Sequence, residues 1–282
     1  MAIDPRPQST KFKLANFLDV DSSDDPAAYI AFLDRFSADF REMINTGIDL
    51  LRLQPGSAVL DVGCGHGAVI PMLAARVGPT GSVTGIDVSN ELVAEAHLRL
   101  DAAGLPVKIR VGNAQATDFA DATFDATRAD RVLAYVPNPR TAVFEFARVT
   151  RAGGHVVITE PDLGASMLDS PDVDTTRAVL AGISDEFPNG WMGRQLRALF
   201  LDAGLINVEL QFFTWLNTNL TEWSRRFGID DALLAAVVSN RVSSVRAEAW
   251  LEDLRRRDAT GRFLSSSTMC MVAGTKSEPG NY

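Results

Sequence analysis

The sequence predicts an α/β protein. Its core is a doubly wound, seven-stranded, mostly parallel sheet with an antiparallel last strand, completed by an N-terminal helical lid and a helical insertion. Three observations carry this prediction. Between residues 58 and 160, short apolar runs alternate with amphipathic helical stretches, which is the rhythm of βαβ units. The first run, 58–62, passes directly into three alternating glycines, Gly63, Gly65 and Gly67, and then into a helix-compatible stretch. After residue 160 the rhythm changes: strand-like runs at 206–213 and 265–275 are separated by a long, mainly helical connection, as for an antiparallel pair that finishes a sheet.

Each element follows from its own residues. Residues 1–10 read as a polar, proline-containing tail, and 12–20 as a short amphipathic piece stopped by an acidic turn. A helix starts near Pro26, where proline fits the first turn. Tyr29, Phe32, Leu33, Phe36, Phe40 and Met43 recur along it at three- and four-residue spacing, and it is expected to run on through 53. Two readings of its aromatic face stay open: packing onto the sheet, or a lid over an apolar ligand touched by Tyr29, Phe32 and Phe36. Strands are expected at 58–62, 82–87, 107–111, 124–129 and 155–160, with helices over 68–77, 90–103 and 140–149. Residues 161–189 read as a helix-and-loop insertion, 194–204 as a helix, and 222–257 as mostly helical. The expected organisation is a lid over 1–54, a main domain from 55–163 and 192–282, and a capping insertion over 164–191. Trp191 in that insertion, like Trp215, is placed either at the substrate or in the core.

Composition excludes some classes of partner. A net charge of −9 argues against a nucleic acid or an anionic membrane surface, since either calls for a basic patch. Two cysteines, Cys64 and Cys270, lie too far apart for a metal-ligand pattern and too few for a disulfide framework, so no metal site is expected. No apolar run has membrane-spanning length, and a cytoplasmic protein is the expectation.

The chemistry gathers at the glycine turn. Glycines adopt positive φ and let a ligand approach without a Cβ in the way, and the following helix start offers N–H groups. Asp61 interrupts the apolar strand, and burying a carboxylate is costly unless it is paired. It reads as aimed at a cation or donor on the ligand. Asp87 ends the second strand, twenty residues beyond Gly67, where an acid can hold both hydroxyls of a ribose. The glycine spacing and Asp87 alone also suit a dinucleotide. Asp61 would repel a pyrophosphate and attract an ammonium, so the ligand reads as a nucleoside joined to an amino acid.

Five segments in order complete the pattern: Leu60-Asp61-Val62-Gly63-Cys64-Gly65-His66-Gly67, Gly85-Ile86-Asp87-Val88-Ser89, Gly112-Asn113-Ala114, Phe124-Asp125, and Arg151-Ala152-Gly153-Gly154. The chain resembles the class I S-adenosylmethionine-dependent methyltransferases, and within them the ubiquinone/menaquinone-biosynthesis-like small-molecule branch. The resemblance covers about 55–160 and extends to the final strand. It implies S-adenosylmethionine as cofactor, with Asp61, Gly63, Cys64, Gly65 and Gly67 at its methionine part, Asp87 on the ribose, and Val88 against the adenine. Asn113 stands where the family usually has aspartate; its amide oxygen would accept from the adenine amino group, with the Ala114 N–H at a ring nitrogen. Arg128 and Ala129 would line the cofactor through backbone atoms. His66 would shape the carboxylate end. The branch commonly carries a histidine pair after the fourth strand, whereas this chain has Ala134-Tyr135-Val136-Pro137. Tyr135 either works on the acceptor or only packs, and Asp162 is the second candidate for proton abstraction. The implied function is O- or C-methylation of a small, apolar or aromatic acceptor, as in secondary-metabolite or quinone-type biosynthesis. Two alternatives stand beside it: an S-adenosylmethionine-binding protein that no longer methylates, and a nicotinamide-dependent oxidoreductase.

Overall fold

A computed structural model describes residue 17 and residues 20–278. The expected tail over 1–10, most of the amphipathic piece over 12–20, and the last four residues lie outside the described residues. Among the described residues, no helix is long and apolar enough to cross a membrane.

Seven strands form one sheet: β1 (Ala58–Val62), β2 (Ser82–Asp87), β3 (Lys108–Val111), β4 (Phe124–Asp130), β5 (Thr150–Leu168), β6 (Leu205–Asn217) and β7 (Ser265–Lys276). Their order is β3-β2-β1-β4-β5-β7-β6, with β7 antiparallel to both neighbours and the other pairings parallel. The order reverses between β1 and β4, and crevices in doubly wound sheets open at such a switch point, beyond the strand C-termini.

Helices α1 (Pro26–Asp39), α2 (Arg41–Leu50), α3 (Ile70–Val77), α4 (Asn90–Ala102), α5 (Pro139–Val149) and α7 (Met192–Asp202) cover the sheet. On one face, Ile44, Ile48 and Leu73 pack against Val59, Val83 and Met271. On the other, Phe146, Leu196 and Phe200 pack against Leu60, Ile158 and Val272. Alternate strand residues thus serve opposite faces. Caps set where helices begin: the Ser89 hydroxyl accepts from Leu92 N–H to start α4, and the Asn138 amide oxygen accepts from Thr141 N–H to start α5.

Three elements differ from expectation. The first helix is not continuous to 53. Phe40, at φ −105° and ψ 20°, breaks it into α1 and α2, because its ring is drawn into a stack between Phe36 and Trp215, at 4.0 and 4.1 Å. Strand β5 does not end at 160 but continues to Leu168 against β7. Beyond Thr159 it has no β4 partner, and Pro161, which lacks an N–H, is tolerated on that free side. The helical insertion expected over 164–191 packs with more of the chain than that. Helix α6 (Val173–Asp185) packs with α8 (Leu220–Phe227), α9 (Ile229–Val238) and α10 (Ser244–Ala259) around Val179, Ile183, Leu233, Trp223, Trp250 and Phe263. Trp250 is buried and its indole N–H donates to Thr176 Oγ1 at 2.9 Å.

Truncating Trp250 to alanine is expected to cost about 3–5 kcal/mol, the usual toll for a large buried aromatic. Urea denaturation of the variant measures it.

Candidate active site

A cavity of about 400 Å³ opens at the C-terminal ends of β1, β2 and β4. One side of it is the glycine turn. Gly63 and Gly65 take φ of +69° and +54°. A Cβ on Gly63 would lie 2.3 Å from Val132 Cγ2, so only glycine lets the turn pass under the loop after β4. Gly67 does not line the cavity; a Cβ there would press on Ala96 and Leu100 of α4 at 3.3 and 3.1 Å, which makes it a helix-packing glycine.

Asp61 and Arg128 are cross-strand neighbours in the β1–β4 register. Arg128 Nη1 donates to Asp61 Oδ1 at 2.7 Å, and its Nη2 donates to Asp130 Oδ2 at 2.8 Å. All three side chains are at most 6% exposed. Burial pushes the Asp61 carboxyl up, and Arg128 opposes that. Burial works against the Arg128 charge, but Asp61 and Asp130 together hold its pKa above the ordinary arginine value. This corrects two expectations. Asp61 is not aimed only at a ligand, since the protein supplies its cation. Arg128 contributes a guanidinium to the cavity floor and not merely backbone atoms. A paired Asp61 also repels a pyrophosphate less than a lone carboxylate would, so it discriminates less between ligands than the sequence argument required.

Asp87 ends β2 with both oxygens directed at backbone: Gly65 N–H at 2.8 Å and Ser89 N–H at 3.0 Å. Burial raises its pKa, and those two donors oppose the rise. Each oxygen keeps a lone pair for a further donor. Val88 beside it is 51% exposed, an apolar side chain left uncovered at the cavity wall, with Leu92 and Ala114 near it. Asn113 lines the same end, but its Oδ1 already accepts from Gln115 N–H at 2.8 Å. Cys64 also lines the cavity, with burial raising its thiol pKa. Ala129 is buried in the core and does not.

The opposite side is Phe17, Leu33, Ser37, Arg131, Val132, Tyr135, Val136 and Pro137. Helix α1 is held over the glycine turn by His66, whose Nε2 lies 2.8 Å from Asp34 Oδ1. Burial lowers the His66 pKa despite that aspartate, so a neutral ring donates its Nε2–H. Arg99 of α4 grips the same Asp34 with two nitrogens, and that bond chiefly pulls the carboxyl down to about 2. The loop after β4 is fixed from below. Glu160 accepts from Val132, Leu133 and Ala134 N–H at 2.8, 2.6 and 3.1 Å, and burial still pushes its pKa up to about 8. Asn189 donates to the carbonyls of Leu133 and Val136.

The sequence-predicted residues divide here. Tyr135 lies in the cavity wall, and burial carries its phenol pKa well above the ordinary tyrosine value, which leaves it a neutral hydroxyl and removes it as a base. Asp162 is outside the lining, and Arg194 takes both of its oxygens at 2.6 and 2.7 Å. It is therefore placed as a structural anchor for α7, not as the base. Tyr29, Phe32 and Phe36 are buried among core side chains and do not line the cavity. Trp191 is 53% exposed and lies against the Arg194 guanidinium, away from the cavity. Leu33, Ser37 and Arg131 were not anticipated. Arg131 follows β4 directly, and a charge there, at the start of the loop that carries Tyr135, is the signal that could have found it.

These residues suit S-adenosylmethionine: a glycine turn open to close approach, paired oxygens at Asp87 with free lone pairs, and an exposed apolar wall at Val88 for a flat ring. Comparisons with known proteins agree with that fit. Residues 60–158 match the family described as a methyltransferase domain. The chain is 35% identical over 213 residues to the demethylmenaquinone methyltransferase of Geobacillus kaustophilus (strain HTA426), covering 66% of this chain and 88% of that one. It is 32% identical over 247 residues to an uncharacterised 37.1 kDa protein in transposon TN4556 of Streptomyces fradiae, covering 86% of this chain and 70% of that protein. Matches to two further methyltransferases span only 50% and 44% of their lengths. The solved structure of the YcgJ protein from Bacillus subtilis shares the fold at a TM-score of 0.63 and 19% identity, over 84% of this chain and 99% of that one. The chain belongs to the class I S-adenosylmethionine-dependent methyltransferases.

Replacing Arg128 by methionine strands the buried Asp61 carboxylate, while Asp130 keeps Arg131, and is expected to cost about 3–5 kcal/mol. Protonation relieves stranded carboxylates, so the native variant gains protons relative to its unfolded chain and the deficit shrinks as pH falls from about 8 to about 5. Paired urea titrations of both proteins across that range test the sign.

Proposed function

We propose that the protein transfers the methyl group of S-adenosylmethionine to a small organic acceptor with an apolar or aromatic body. One observation carries this reading: the cavity with the glycine turn, Asp87 and Val88 at one side continues without a partition to Leu33, Val132, Tyr135 and Val136 at the other. When bound, the cofactor supplies an electrophilic methyl on a sulfonium. The protein's own tasks are to hold the two partners in line and to keep water away. In this reading Asp87 takes the ribose hydroxyls, Val88 and Ala114 flank the adenine, and the Gly63–Gly65 turn receives the amino-acid end beside Asp61. Asn113 offers its remaining amide groups to the adenine edge. Tyr135 orients the acceptor as a neutral hydroxyl. The Geobacillus relative is named for demethylmenaquinone, and an acceptor of comparable small-molecule class suits the apolar wall described above. The O- or C-position that receives the methyl, and a place in secondary-metabolite or quinone-type synthesis, belong to the same proposal, as does a cytoplasmic setting.

Calorimetric titration with S-adenosylmethionine and S-adenosylhomocysteine, followed by an intact-mass screen of acceptors, tests the reading. Binding without any transfer across the screen would favour a non-methylating binding protein. Asp87→Ala is expected to weaken S-adenosylhomocysteine at least about tenfold, since a charged hydrogen-bond acceptor contributes about 1.5–3 kcal/mol. Circular dichroism should report an unchanged sheet in that variant. Tyr135→Phe is expected to lower the rate while leaving the shape of the pH–rate profile unchanged between about pH 6 and 9, because a neutral phenol contributes no ionisation there.

A further inference from the structure

Arg131 is a charged side chain of the cavity wall whose placement the cofactor reading does not use. It sits at φ +58°, in the left-handed region that a bulky residue occupies only under strain. Its backbone N–H donates to Thr159 O at 2.8 Å, which holds that conformation. The guanidinium lies over the Phe36 ring of α1, 3.4 Å from the centroid, and its Nε donates to Asp130 Oδ1 at 3.1 Å. The side chain is 19% exposed. Its two terminal nitrogens have no protein partner among the described residues. Stacking on one face and pairing at Nε orient the planar fork, so the terminal N–H groups are pre-set to donate as a pair.

The charges around it matter. Asp61 and Asp130 balance Arg128 and Arg131 within the cluster, while the further carboxylate of the lining, Asp87, belongs to the cofactor half of the cavity. The neighbours on the acceptor side are Leu33, Val132 and Tyr135, none of them anionic. A half-buried fork with unused donors, in an apolar wall, suits a planar acid group.

We propose that Arg131 is the acceptor-specificity residue and that the methyl acceptor carries an ionised acid group, a carboxylate or an equally acidic enol, on an apolar ring. This deepens the methyltransferase reading and rests on it. The probes are 2-naphthoate and its uncharged analogue 2-naphthamide, titrated into the full chain with and without saturating S-adenosylhomocysteine. Wild-type protein is expected to bind naphthoate at least about tenfold more tightly than naphthamide, as a charge-assisted pair should. Arg131→Gln should erase that preference, Arg131→Lys should keep part of it, and S-adenosylhomocysteine affinity should change less than about twofold in both, since the lost bonds are to the acceptor. Equal binding of the two probes by the wild type, including no binding of either, overturns the proposal. So does a tenfold loss of S-adenosylhomocysteine affinity in Arg131→Gln, which would assign the fork to the cofactor's own carboxylate. If the wild type binds no S-adenosylhomocysteine, the methyltransferase reading fails, and the naphthoate preference measured without it still decides the role of Arg131.

Discussion

The ion triad of Asp61, Arg128 and Asp130 lies on adjacent strands where the sheet order reverses, with its side chains almost wholly buried. Charges placed there are costly, and each survives only because the others are in register. That dependence reaches outward. The β1–β4 register that opposes Asp61 to Arg128 also sets where Gly63 turns, and Gly63 must clear Val132 at the start of the loop after β4. A one-residue slip would separate the pair, turn the strand's apolar residues to the wrong faces, and drive the turn into the loop. The triad is therefore as much a register device as an electrostatic one, and it places the floor of the cavity before any ligand enters.

From that floor the two halves of the cavity are built by different means. The cofactor half is backbone: glycines at positive φ, and Asp87 bracing the turn through Gly65 and the next helix start through Ser89. The acceptor half is a loop held from three sides. Glu160 gathers three successive N–H groups, Asn189 binds two carbonyls, and α1 is latched by Asp34 to His66 and Arg99. Five or more polar bonds spent on a loop of a few residues leave it little freedom, which suits a wall that must hold an acceptor in line.

What the sequence disclosed follows the same division. The strand-to-glycine run, Asp87 and Val88 are local features, and local features are legible because the backbone requirement is written in consecutive residues. The mostly parallel sheet with its antiparallel last strand was legible for the same reason, from alternation and from two late strands. The acceptor half was not. Tyr29, Phe32 and Phe36 read equally as a packing face or a ligand-facing stripe, but large aromatics gain most from burial, and the helix turns them into the core. The neighbouring Leu33 and Ser37 then face the cavity, one residue further round the helix. Asp162 read as a candidate base because it follows the C-terminal edge of the fifth strand, where doubly wound folds place ligands; its partner Arg194 is supplied by a helix thirty-two residues away. The cation of Asp61 is likewise supplied from far along the chain, by Arg128, and the family relationship carries the identification that its charge alone was asked to carry.

The fate of the candidate bases bears on the acceptor. Tyr135 is held neutral by burial, Asp162 is committed to Arg194, His66 is committed to Asp34, and Glu160 is spent on backbone donors outside the cavity. An alcohol or an unactivated carbon would need one of them to take its proton. An acid that has already lost its proton near neutral pH needs none, because its nucleophilic oxygen or enolate carbon arrives ready and requires only alignment behind the methyl. The proposed fork at Arg131 would supply that alignment, with its own charge already partly offset by Asp130. The scarcity of free bases and the presence of an unused guanidinium are, on this view, two sides of one arrangement.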